Sequence, residues 1–149
     1  MKSSNLDLLK NKTVIKICKI SINENNSSYN PSDTLLLKLV DGSFFQIVVD
    51  YDIKVYPLSS IEKLVILGDY DLKNIEIELV EISEVVDSQK IMAIYDYSQS
   101  TYHFGSKFLN AENEFIFGFC FGWDEIILLN EKDFITMLNS YENRIEIKR

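Results

Sequence analysis

The sequence predicts an α+β fold: a predominantly antiparallel, twisted β-sheet with one firm C-terminal helix and a short N-terminal helix. Three observations carry this. Short runs rich in β-branched and aromatic residues recur along the chain, some in strict alternation. Only the stretch after Asn130 has the spacing of an amphipathic helix. The strand–helix–strand rhythm of a parallel sheet is missing. At 149 residues, 46% of them hydrophobic, the chain is expected to form one domain, residues 1–149, with a substantial core.

Taken in order, Ser4 to Asp7 opens a short helix, with Ser4 as its cap. Thr13 to Ile22 is a strand dominated by β-branched residues, with Lys16 and Lys19 pointing outward. Asn23 to Asp33 is a polar loop. Thr34 to Val40 and Ser43 to Val49 form a hairpin about Asp41-Gly42, because an Asp-Gly pair supplies the backbone that a tight reversal needs. Ile53 to Tyr56 stays extended until Pro57 breaks it, and Ile61 to Leu67 suits either a strand or a helical turn. Asn74 to Ser83 alternates strictly and reads as a half-exposed strand.

Ile91 to Tyr97 is the next strand, followed by a polar stretch to about Gly105 that holds His103 in a loop. In Phe115 to Phe121 both faces are apolar or small, as in a central strand covered on both sides; Gly118 and Gly122 mark bulges or close backbone approach. Asp124 to Leu129 is a further strand. Asn130 then caps a helix whose Phe134, Met137, Leu138 and Tyr141 share one face. Arg144 to Lys148 alternates again and adds an edge strand.

The net charge of −8 opposes a nucleic-acid backbone and suits either solubility alone or a basic protein partner. The longest apolar run, Phe115 to Trp123, is far short of the ~20 residues that span a bilayer. The N-terminal residues lack the apolar region of a signal peptide, so a cytoplasmic location is expected, with Cys18 and Cys120 as buried, reduced thiols.

Catalytic chemistry finds little support. His103 is the only histidine, and any imidazole-based mechanism has to pair it with Cys18, Cys120 or a serine such as Ser98, Ser100 or Ser106. Phosphate-cradling glycine motifs and zinc spacings are absent. Asp50/Asp52 and Asp69/Asp71 are the pairs able to share a hard cation, within an echoed Asp-Tyr-Asp unit. The expectation is therefore a binding protein rather than an enzyme, with no metal or cofactor.

The acidic stretch holding Asp69, Tyr70, Asp71, Glu76, Glu78, Glu81, Glu84 and Asp87 is the candidate partner-binding surface. It serves either as a solvated edge that deters aggregation or as a docking face for a basic protein. Tyr70, Tyr95, Tyr97 and Tyr102 are candidate aromatic anchors. In its size, acidity, β-rich patterning, lack of catalytic motifs and the segment Phe117 to Asn130, the chain resembles the immunity proteins of bacterial toxin–immunity systems, including contact-dependent growth inhibition. That resemblance implies a protein that binds and neutralises a cognate toxin, commonly a basic nuclease. It assigns no individual residue. A phage- or host-encoded inhibitory protein is the alternative, followed by a small carboxylate- or metal-dependent enzyme.

Overall fold

The computed structural model describes residues 5–24, 26–61, 64–65, 75–84 and 89–149. A 3-10 helix, Asn5–Leu9, precedes β1 (Val14–Glu24), β2 (Ser27–Tyr29), β3 (Thr34–Leu39), β4 (Phe44–Asp50), β5 (Asp52–Leu58) and β6 (Ile75–Glu84). These six strands form one antiparallel sheet in which β1 pairs with β2 and β3 along one side and β6 along the other, and β3 leads on to β4 and β5. The strands β7 (Ala93–Gln99), β8 (Tyr102–Leu109), β9 (Phe115–Phe121), β10 (Ile126–Leu129) and β11 (Ile145–Lys148) form the second sheet, ordered β10-β9-β8-β7-β11. The single α-helix among the described residues, α1 (Glu131–Asn139), lies between β10 and β11 in the chain.

The α+β antiparallel architecture is as expected, but the strands divide between two sheets that pack face to face. Alternation explains why. Leu35, Leu37, Phe45, Ile47 and Val49 project from the first sheet to meet Ile94, Phe108, Phe117, Phe119 and Phe121 of the second in one buried cluster. The opposite face of β1, with Cys18, Ile20 and Ile22, packs under Ile61 and Leu64 and beside Ile77 and Leu79 of β6. Both atoms of the buried Gln46 amide hold the backbone of Val65 there, at 2.6 and 2.8 Å.

Four local expectations need correction. The 23–33 segment is not all loop, since β2 pairs back onto the end of β1. Asn26, at φ 66°, supplies the reversal. Pro57 does not break the fifth strand. On this edge strand the Val55 N–H and C=O both point outward, where the Asn5 side-chain amide binds them at 2.7 and 2.8 Å. Pro57, two residues on, lacks only an outward N–H, so no ladder bond is lost. At Asp41-Gly42, Gly42 alone has positive φ, and its N–H reaches Leu39 O at 3.0 Å. The hairpin thus closes through a three-residue loop rather than a two-residue one. Finally, the polar stretch to Gly105 is largely strand: β7 and β8 meet in a tight turn at Ser100 and Thr101, so His103 lies within β8. The Ser4 cap, residues 62–63 and 66–67 of the ambiguous 61–67 run, and Asn74 lie outside the described residues.

Helix α1 covers the outer face of the second sheet as its periodicity predicts. Asn130 Oδ1 accepts the Asp133 N–H at 2.8 Å, and Phe134 is buried with Tyr97 and Phe104, with Met137, Leu138 and Tyr141 against them. Two glycines make room. A Cβ at Gly118 falls 2.5 Å from Cδ2 of Phe134, and one at Gly105 falls 2.9 Å from Cε of Met137.

Strand directions also separate charge. β1 ends, and β3, β5 and β6 begin, at the end of the first sheet where β4 finishes, so Asp33, Asp50, Asp52, Glu76 and Glu78 share it. Backbone bonds from Ile126 N to Ser32 O and from Tyr51 N to Trp123 O, both 2.9 Å, bring Asp124 and Glu125 to the same end. Lys10, Lys12, Lys16, Lys38 and Lys90 gather at the other.

Candidate functional site

On the acidic stretch, Glu76 and Glu78 are exposed on one face of β6, opposite Asn23 and Ser21 of β1. Glu81, an odd number of residues further on, turns to the other face and meets Lys16 at 3.2 Å, an exposed pair of little energetic weight. Glu84 stands opposite Lys16 in the backbone register. Asp69, Tyr70, Asp71 and Asp87 lie outside the described residues. Glu76 and Glu78 thus share an exposed face as expected and belong to the acidic end of the sandwich, while Glu81 lies on the other face of β6.

That end also contains a cleft of 540 Å³. One wall is the β4–β5 reversal, residues 49–53; the other is the start of β8 and the end of β9. Val49, Ile53 and Phe121 give it an apolar floor. At its mouth stand Tyr51 and Trp123, 79% and 70% exposed, their rings edge to face at 5.6 Å. Tyr51 is the whole connection between β4 and β5, because Asp50 pairs directly with Asp52 across the reversal. It reaches that geometry only at φ 61°. The other non-glycine residues at positive φ among those described are Asn11, Asn26, Ser100, Asn113 and Asn143. Asparagine tolerates the left-handed region, whereas for a bulky side chain it costs about 1–2 kcal/mol. Chain reversal alone does not call for tyrosine at 51.

Polar groups back the cleft from within the second sheet. His103 has only 10% of its side chain exposed and sits edge-on to Phe121, with ring centroids 5.2 Å apart. Its Nε2 lies 2.9 Å from Gly105 O and 2.8 Å from Ser106 Oγ. A carbonyl only accepts, so Nε2 carries the hydrogen. Ser106 Oγ in turn donates to Asp96 Oδ1 at 2.7 Å, and the Nε of Arg149, which follows β11, donates to Asp96 Oδ2. The order of donation is His103 to Ser106 to Asp96, the reverse of what an activated serine nucleophile needs. Ser106 is, besides, completely buried.

Burial lowers the His103 pKa below its ordinary 6.5, opposed by the nearby Asp96 carboxylate and the Gly105 carbonyl and assisted by Arg149. The unfolded chain therefore takes up a proton near 6.5 that the folded protein refuses. The stability tied to this group is fully present above 6.5 and falls away as pH drops below it toward the folded-state value. Urea unfolding on both sides of that pH should show a steeper acid loss for the wild type than for His103→Gln. Equal slopes would mean that the imidazole titrates as freely folded as unfolded.

Burial likewise raises the Asp33 carboxyl, with the charges of Asp124 and Asp50 adding to it, which reflects how closely acids crowd this end. The Asp50/Asp52 pair straddles the reversal rather than lying on one extended segment, and Asp69/Asp71 lie outside the described residues. Among the described residues no group of three or more His, Cys, Asp or Glu side chains is arranged to hold a metal ion. Of the expected anchors, Tyr102 borders the cleft and gives its hydroxyl hydrogen to Phe121 O. Tyr97 is buried beneath α1 with its hydroxyl on Glu146, and Tyr95 lies under Lys107 and Lys148. Cys18 and Cys120 face outward from different sheets with both layers between them, and both are free thiols. Among the described residues no helix is long and apolar enough to cross a membrane.

Tyr51, Asp52, His103 and Trp123 were not foreseen as one site. The echoed Asp-Tyr-Asp unit, with strand patterns abutting it and no loop residues to spare, was the available signal for Tyr51. Comparison with protein-family models, curated proteins and solved structures returned no match.

Proposed function

We propose that this chain is a neutralising binding protein of the immunity type, which sets its acidic end against a basic face of a protein toxin, such as a nuclease, and blocks substrate access. The observation that carries this reading is Tyr51: a large, exposed aromatic held in a costly left-handed conformation beside an exposed Trp123. Backbone strain of this kind persists where function uses it. Aromatic anchors ringed by charge are the usual centre of a protein interface. Asp33, Asp50, Asp52, Asp124, Glu76 and Glu78 supply complementary charge and steer the encounter.

The protein, used as bait in lysate of its source cells, should recover one basic protein in equal stoichiometry. Association of the purified pair should slow as salt rises. Tyr51→Gly relieves the backbone strain and should leave stability unchanged or up to about 1 kcal/mol higher. It should nevertheless weaken the complex by roughly 30-fold, the ordinary weight of an aromatic hot spot. A complex indifferent to both salt and Tyr51→Gly would place its docking face elsewhere.

A further inference from the structure

The cleft is specific about the chemistry it can receive. Its described lining contains no lysine or arginine, and the Asp52 carboxylate, the His103 imidazole and the Tyr51 and Trp123 ring faces stand around the apolar floor. His103 is the most informative of them. Its Nε2–H is committed to Gly105 O and Ser106 Oγ, so in the neutral ring Nδ1 is a lone-pair acceptor. Nδ1 has no hydrogen-bond partner among the described residues. Since no fully buried side-chain nitrogen or oxygen is left unsatisfied there, this nitrogen retains some accessible surface, on a ring that lines the cleft. A side chain nine-tenths buried thus keeps one uncommitted, accessible acceptor beside the cleft, while the Asp52 carboxylate and the Tyr51 and Trp123 rings occupy the walls and mouth.

We infer that the cleft is a receptor for an arginine side chain of the partner. The inference deepens the proposed function and rests on it. A guanidinium is planar, permanently charged and carries five N–H donors in a fixed fork, so it can donate to an imidazole nitrogen and to a carboxylate, whose oxygens accept more than one hydrogen bond, while lying against an aromatic face. An ammonium is a compact, strongly hydrated point charge that makes poorer use of flat surfaces. A volume of 540 Å³ also exceeds one side chain and leaves room for the backbone that presents it. Surrounding acids favour a cation over a neutral or anionic guest.

The test uses the intact protein and two built-in reporters, its only tryptophan and its only histidine. N-acetyl-argininamide is titrated while Trp123 fluorescence and the His103 ring resonances are followed. Both should change together and saturate in the millimolar range, ~1–10 mM for a single side chain. The citrulline analogue, which replaces the guanidinium by an uncharged urea of the same shape, should bind about tenfold more weakly, and so should the lysine analogue. Asp52→Asn should weaken the arginine derivative by about fivefold. No saturation, citrulline or lysine binding as well as arginine, or a Trp123 response with His103 unmoved would each overturn the assignment. If the probe fails while Tyr51→Gly still weakens the protein complex, only the guanidinium assignment falls. If the probe binds while the complex ignores Tyr51→Gly, the docking reading falls instead.

Discussion

Asp96→Ala should cost about 3–5 kcal/mol, a large part of the stability of an ordinary domain. Asp96 is 3% exposed on β7 and is the point where three separate parts of the chain converge. It accepts from Ser106 of β8 and from Arg149 beyond β11, and His103 Nε2 stands 3.5 Å away. Arg149 also anchors itself through its backbone N–H to Ile94 O at 2.8 Å and reaches Asp7 of the 3-10 helix at 3.4 Å. Removing the carboxylate takes away the buried counter-charge of Arg149 and the acceptor of Ser106 together. The desolvation already incurred by the guanidinium then loses its buried carboxylate, and the exposed Asp7 at 3.4 Å offsets it only weakly. Removing both charges, as in Asp96→Leu with Arg149→Met, should cost much less than the sum of the two single changes, because no lone charge is left inside. Urea unfolding of Asp96→Ala and of the four proteins of that cycle measures this. A single-variant loss below about 1 kcal/mol would mean that water screens the pair.

Phe134→Ala should cost about 3–5 kcal/mol by emptying the space that α1 fills on the second sheet. This ring is the buried contact of the helix, edge to face with Tyr97 at 5.6 Å and 6.0 Å from Phe115. Its seat exists because Gly118 has no side chain. Gly118→Ala should therefore destabilise the wild type by about 1–3 kcal/mol through overpacking. In the Phe134→Ala background the same change should be nearly harmless, since the added methyl enters the vacated space. Thermal or urea unfolding of the double-mutant cycle reads this coupling directly. Additive losses would mean that the helix shifts on its seat rather than meeting the glycine through Phe134.

Much of this was legible in local patterns. The Asp41-Gly42 reversal, the alternation of β6, the doubly apolar β9, the Asn130 cap and the helix face down to Tyr141 depend on neighbours within a few residues in the chain. Composition likewise carried the acidity. His103 and Tyr97 were misplaced because polarity near a turn and a tyrosine hydroxyl both read as exposure. Pairing β7 with β8 draws His103 into the strand, and α1 closes over Tyr97. Pro57 was misread because a proline is harmless only on the outward side of an edge strand, and edge position is not a local property.

Local pattern alone was enough to mark the strands with clear apolar periodicity, the start of the helix and the acidity of the chain, since periodicity, capping and net charge are short-range or additive. The polar strands β2 and β8 carry no such periodicity and took their form from pairing. Tertiary structure decided that the strands divide into two packed sheets. It also decided that carboxylates distant in sequence crowd one end, and that Tyr51, Asp52, His103 and Trp123 surround one cleft. Those groupings arise from strand pairing and sheet packing, which join residues by burying apolar surface at distances along the chain that no local pattern encodes.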